Sequence, residues 1–224
     1  MATSGTFTWR PDIEEIIVEA YERCGTDTQI LTGYQARAAR RSLNLMFTSW
    51  GVKGVNYWTT SQVSATVTES TATITLEAGT IDVLDAVLRR SSTDTPMQRI
   101  SMSEYHQLPT KTTEGLPSSF FFDRQYTPQV YLWPVPENST DAFLYWQLKQ
   151  IEDVTASNQD ADVPYRWTEA MVAGLAVRLC AKKPTIDTER LVYLEGKEKE
   201  SFMDAADDEG EKSNLRIIPP RTMI

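Results

Sequence analysis

The side chains best suited to chemistry in this chain are few, and their spacing narrows what they could do. The single histidine, His106, stands between Tyr105 and Gln107, with no serine or cysteine nearby in a recognisable nucleophile context, so a surface or half-buried helical histidine is expected. Asp82, Asp85, Glu104 and Asp123 fall within one stretch and could act as a carboxylate pair on a glycosidic bond. The plainer expectation is that they solvate a sheet rim or pair with Arg89, Arg90 or Arg124. Cys24 and Cys180 are the only cysteines, and with one histidine they cannot complete a zinc site, so no metal or other cofactor is expected. The two thiols leave open a disulfide or a pair of small buried hydrophobes; we read the latter, as suits a reducing compartment. Gly51 and Gly54 lack the glycine count and the strand-to-helix context of a phosphate loop. Trp133, Phe143, Tyr145 and Trp146 would suit a sugar-stacking platform, although aromatic strands more often fill a core.

Charge gives a sharper signal. The chain carries a net charge of −9 with a pI near 4.8, which disfavours nonspecific attraction to nucleic-acid phosphates or an anionic membrane. Against that background Arg37, Arg40 and Arg41 form a compact basic cluster, expected to meet acidic groups within the subunit or on a neighbour. They belong to a stretch in which Ala36, Ala39, Leu43, Met46 and Trp50 recur at alternating three- and four-residue steps, one stripe of an α-helix. The alanines allow close approach of a second helix, and the larger residues supply area. Arg37, Arg41, Asn44 and Thr48 lie on the other side. Arg37, Arg40, Arg41 and Asn44 are therefore expected at a subunit interface. Gly51 and Gly54 are expected to end the helix.

Around this helix the chain reads in order. Asp12 followed by Glu15 marks a helix start, with Ile13, Ile16, Ile17, Ala20 and Cys24 as the apolar face and Gly25 as the stop. After Trp58 the period becomes two: Val63, Ala65 and Val67, then Ala72, Ile74 and Leu76 after a turn near Glu69 and Ser70, predict a hairpin. Ile81 to Leu88 is more continuously apolar and suits a strand covered on both faces. Ser101 predicts a cap for a short helix to Leu108. Ser119–Asp123, Gln129–Trp133 and Ala142–Ile151 read as strands, the second stopped by Pro134 and Pro136. Helices resume at Asp162, with Pro164 in a first turn and an almost wholly apolar run from Trp167 to Leu179 that suits burial between other helices. Pro184 is expected to break that helix and Asp187 to cap the next, whose acidic end, Asp204 to Glu211, is expected to fray against the macrodipole.

The fold class that follows is α+β, a helical bundle built from both ends of the chain with an inserted antiparallel β module and an extended C-terminal tail. The expected divisions are 1–56 and 157–212 for the helical domain, 57–156 for the β module and 213–224 for the tail. The N-terminal residues lack the apolar core of a signal peptide, and the longest apolar run, Ala170 to Val177, is too short to span a bilayer, so a soluble protein of a cytoplasm with no membrane partner is expected. The tail holds Leu215, Ile217, Ile218, Met223 and Ile224, yet Pro219 and Pro220 bar a helix. Its apolar content suits ordering on another protein, with Arg216 and Arg221 meeting acidic groups there.

Three blocks, ARRSLNLMFTSW followed by NYW, then ISMSEYHQLPTKTTEGLPSSFFFD leading to VYLWPVP, then DVPYRWTEAMVAGLAVRLC, together resemble the head-to-tail adaptor proteins of tailed bacteriophages, also called connector or tail accessory proteins. The likeness is greatest to those of short-tailed phages and runs from about Ile13 to Lys199. It implies a structural virion protein without a reaction, assembled in the host cytoplasm. Such adaptors form a homo-oligomeric ring, usually a dodecamer, between the portal protein and the tail or nozzle protein. DNA passes through the enclosed channel during genome ejection without specific binding. Arg40, Leu43, Asn44 and Trp50 match as parts of the helical body, and Gly115, Pro117, Trp133, Pro134 and Pro136 as parts of the β module. Some adaptors of this kind lay a C-terminal segment along the portal, which makes Leu215 through Arg221, Met223 and Ile224 a candidate portal-docking segment. A virion-associated glycan hydrolase and a sugar-binding module are the alternatives to such a ring.

Overall fold

The computed structural model describes residues 5–6, 8–28, 31–183 and 187–209. They divide into two compact units, one made of the described residues of Met1–Met46 and Val154–Ile224, the other of Phe47–Asp153. The candidate tail, 213–224, lies outside the described residues. The architecture is α+β, with helices at both ends of the chain and a β module in the middle.

Helix α1, Ile13–Arg23, starts where Asp12 accepts a hydrogen bond from the Glu15 N–H at 2.8 Å, with Glu14 and Glu15 in the first turn. Its buried face is Ile13, Ile16, Ile17 and Ala20, and Gly25, at φ +67°, turns the chain away. Helix α2, Gly33–Lys53, buries Ala39, Leu43, Met46 and Trp50 as the spacing requires, and full burial of Leu43 or Met46 contributes about 1.5–3 kcal/mol each. Gly51 stays within the helix, and Gly54, at φ +69°, is the residue that ends it, because only there does the backbone turn left-handed. The division between units falls inside α2, after Met46.

Unit two holds ten strands: β1 Thr60–Thr66, β2 Thr73–Thr75, β3 Thr80–Arg90, β4 Thr93–Pro96, β5 Gln98–Arg99, β6 Glu114–Gly115, β7 Ser119–Asp123, β8 Gln129–Trp133, β9 Val135–Pro136 and β10 Ala142–Lys149. Helix α3, Met102–Gln107, interrupts them after β5 behind a capping box between Ser101 and Glu104. The sheets run β1-β10-β3-β4 and β2-β8-β7-β5, with β6 and β9 as a separate pair. Their inward residues, among them Val83, Leu88, Phe120, Leu132, Phe143 and Tyr145, form one apolar cluster. Pairing is antiparallel except for β5 with β7 and β6 with β9, which are parallel.

Two sequence expectations fail here. β1 and β2 do not form a hairpin: β1 pairs with β10 and β2 with β8, in different sheets. The turn between them is tied elsewhere, Glu69 N–H to Ser139 Oγ at 2.9 Å and Ser70 N–H to the Pro136 carbonyl at 2.9 Å, and Ser70 sits at φ 57°. β3 is not covered on both faces. It alternates around a bulge at Leu84, since Trp146 opposes Asp85 while Gln147 opposes Val83, and Leu84 is left 47% exposed. The extra residue is what makes the run look continuously apolar.

In unit one, a single 3₁₀ turn, Tyr165–Trp167, leads into α4, Thr168–Cys180, which is buried from Ala170 through Ala176 and is packed by α1 and by α5, Thr188–Glu209. Gly174 permits the approach of α2, since a Cβ there would lie 2.6 Å from Met46 Sδ. Helix α5 begins under Asp187, whose Oδ1 accepts from the Glu189 N–H at 3.1 Å. It runs to Glu209, the last described residue of the stretch expected to fray. That carboxylate accepts from Arg166 Nε at 2.7 Å and Trp167 Nε1 at 3.2 Å, so the acidic end has a local cation to meet.

Candidate assembly surface

The residues that could have formed a reaction centre are otherwise occupied. Asp82 accepts from Arg99 at 2.8 Å and Arg124 at 2.6 Å, Asp85 from the Ala86 N–H at 2.8 Å and Asp123 from Gln125 at 2.7 Å. Glu104 closes the α3 capping box, and its hydrogen bonds from the Ser101 backbone and side chain hold its carboxyl below the usual range. His106 is exposed beside Tyr105. The four aromatics proposed as a platform do not share a surface. Phe143 and Tyr145 point into the cluster, Trp146 lies on the opposite face of that strand, and Trp133 faces outward on the other sheet with Nε1 on the Thr110 carbonyl at 3.1 Å. Instead Tyr105 of α3 covers Phe121 and Tyr131, with ring centroids 5.7 and 5.5 Å away. Among the described residues no cluster of His, Cys, Asp or Glu could hold a metal ion, and no helix is long and apolar enough to cross a membrane.

Cys24 and Cys180 are free thiols, both buried, and Cys24 Sγ donates to the Ala176 carbonyl at 3.0 Å. Burial, then the proximity of Cys180, pushes the Cys24 thiol up to about 11.

The basic cluster separates into two pairs. Asn44 is turned inward: its Nδ2 donates to the Val154 carbonyl at 3.2 Å and its Oδ1 accepts from the Val154 N–H at 2.9 Å. Arg40 donates to the next carbonyl, Thr155, at 2.6 Å. These two side chains fasten segment 154–160 to α2, while its other end serves α1, through Ile13 N–H to the Gln159 carbonyl and Glu14 N–H to the Ser157 carbonyl, both 3.0 Å. Arg37 and Arg41, one turn apart, remain exposed and carry no ion pair among the described residues.

The fold brings further cations to Arg41. A cavity of about 320 Å³ is lined by Tyr21, Tyr34, Arg41, Lys182 and Lys183, the lysines following the end of α4. Lys182 Nζ bonds Ser42 Oγ and, at 3.3 Å, the Ala38 carbonyl; Lys183 Nζ bonds the Cys24 carbonyl at 2.6 Å. All three acceptors are neutral. Desolvation, then the neighbouring Arg41 and Arg178, lowers the Lys182 pKa, as expected where cations gather without a counter-ion. Arg178 Nε is buried with no hydrogen-bond partner. Lys182, Lys183 and Arg178 were missed because they stand far along the chain from Arg41; only the burial of α4 against its neighbours collects them.

The same unit has a patch of opposite sign: Asp204 and Asp207 are exposed on the last turns of α5, beyond the Lys197–Glu200 ion pair. Residues 13–215 match the family described as SU10 adaptor protein, and the chain belongs to that family. It is thereby a bacteriophage head-tail adaptor, a structural protein of the virion. No curated protein matches the chain.

Proposed function

We propose that this chain forms a closed ring of identical subunits, twelve by analogy with the adaptors it resembles, which joins the portal to the tail or nozzle and encloses the DNA channel at the head-tail junction. The sequence blocks favour the short-tailed kind. The observation that carries the reading is the cationic group Arg37, Arg41, Lys182 and Lys183, which lacks an acidic partner in its own subunit among the described residues. A neighbour's acidic α5 is its natural complement. One copy carries both surfaces, which is what a head-to-tail contact between identical subunits requires, and such contacts form a ring where the rotation between copies closes. The net acidity of the subunit suits a channel through which DNA slides without being gripped. The role requires no reaction and no cofactor. Segment 213–224 orders on another protein of the assembly, a portal or an adjoining adaptor.

Exchanging Arg37 and Arg41 for glutamate tests the contact. The expected result is a folded subunit, with unchanged helix content, that no longer enters rings. Rings at normal yield would reduce the cluster to a solvated face.

A further inference from the structure

Between α1 and α4 lies a groove of about 640 Å³, within unit one, that the assembly contact above leaves unused. Its apolar side is Ile16, Val18 and Val172, and Trp9 stands 76% exposed at its edge. Its rim is acidic. Glu19 and Glu169 share Arg23, at 2.8 and 2.5 Å, whereas Glu14 and Glu15 carry no ion pair among the described residues. A groove of this kind suits an extended segment with apolar and basic side chains and no acidic ones.

The chain contains such a segment. Residues 213–224 include Leu215, Ile217 and Ile218 together with Arg216 and Arg221, and no Asp or Glu. We propose that this groove is the seat of residues 213–224. The proposal takes from the assembly reading only that copies meet; where the segment comes from the same copy, the groove takes the place of the portal or adjoining adaptor named above. Position supports it. Glu209, the last described residue of α5, is held by Arg166 and Trp167, and the next two residues, Thr168 and Glu169, line the groove. Residues 210–214 extend about 17 Å, and α1, of 11 residues, is about 16 Å long. Leu215 to Ile218 therefore come within reach of Val18 and Val172, with the arginines near Glu14 and Glu15.

The test uses the full chain with a cysteine in the groove and one in the segment, Val18→Cys with Ile218→Cys, oxidised by diamide, which takes up the two thiol protons and two electrons as the disulfide forms. The native thiols are buried at 4% and 2% exposure. Where Val18→Cys disturbs α1, Trp9→Cys replaces it. The comparison pair is Val52→Cys with Ile218→Cys, since Val52 is 85% exposed and is not among the residues that line the groove. Cross-linking at the groove about tenfold faster than at Val52, and slowed by Glu14→Lys with Glu15→Lys, is the expected result. Gel mobility tells a bond within one copy from a bond between copies, and either places the segment in the groove. Equal rates for the two pairs would overturn the proposal. Native mass on the same samples reads ring formation separately: rings without preferential cross-linking refute the groove alone, and cross-linking without rings refutes the ring alone.

Discussion

The side-chain amide of Asn44 engages both backbone polar groups of Val154, donating at 3.2 Å and accepting at 2.9 Å. One residue of α2 thus closes what would otherwise be two open backbone positions, and it also explains why a strongly polar residue belongs on that helix. Replacing Asn44 with alanine is expected to destabilise unit one by about 2 kcal/mol, because a partly buried N–H and C=O lose their partner together. Asn44→Asp should cost at least as much, since a carboxylate would face the carbonyl. Urea unfolding measures both; an unchanged midpoint would mean that water serves Val154 equally well.

Gly174 predicts a size limit. With a Cβ only 2.6 Å from Met46 Sδ, Gly174→Val should destabilise by about 1–3 kcal/mol through overpacking. Met46→Ala in the same chain should recover part of that loss. A double-mutant cycle should show a coupling of about 0.5 kcal/mol or more; strict additivity would mean that the two helices do not meet at this point.

The end of α5 predicts a local effect. Glu209→Ala removes the carboxylate that accepts from both Trp167 Nε1 and Arg166, a loss of about 1–3 kcal/mol. Amide exchange in the last turn of α5 should accelerate while α4 stays protected. If the last turn exchanges no faster, the acidic end is held by something other than this carboxylate.

What was legible in the sequence was mostly local. The three-and-four spacing of Ala39, Leu43, Met46 and Trp50 fixed one face of α2, and Asp12, Ser101 and Asp187 marked helix starts because capping depends on residues three apart. Strand pairing was not legible in the same way. Val63 to Leu76 has the alternation and the turn of a hairpin, yet Glu69 and Ser70 bond to residues near 136–139, and no short-range rule weighs that competition. The candidate surface was half legible. Arg37, Arg40 and Arg41 announce themselves as a cluster, whereas Arg40 and the nearby Asn44 point to a backbone contributed from more than a hundred residues away. Lys182 and Lys183 join only through the packing of α4. The expectation that α5 frays overlooked Arg166, because macrodipole reasoning considers one helix and Arg166 belongs to another segment.

The Cys24 thiol sets a pH dependence. Its folded pKa, about 11, is raised above the ordinary thiol value, so the folded state holds its proton longer than the unfolded state does. The stability it contributes is complete below the ordinary value and is lost as pH rises through 11, with a slope of at most about 1.4 kcal/mol per pH unit for this one group. Cys24→Ser should flatten that loss between pH 9 and about 11 in chemical denaturation. An unchanged slope would assign the loss to other groups.

Ring formation between portal and tail is the central claim, and the mass of the native particle tests it most directly. Purified chain alone, and then mixed with portal rings, should be measured by native mass spectrometry. The account predicts closed oligomers, free or seated on the portal, with one fixed number of subunits. A monomer that stays monomeric in both samples, with portal rings unchanged in mass, would contradict it.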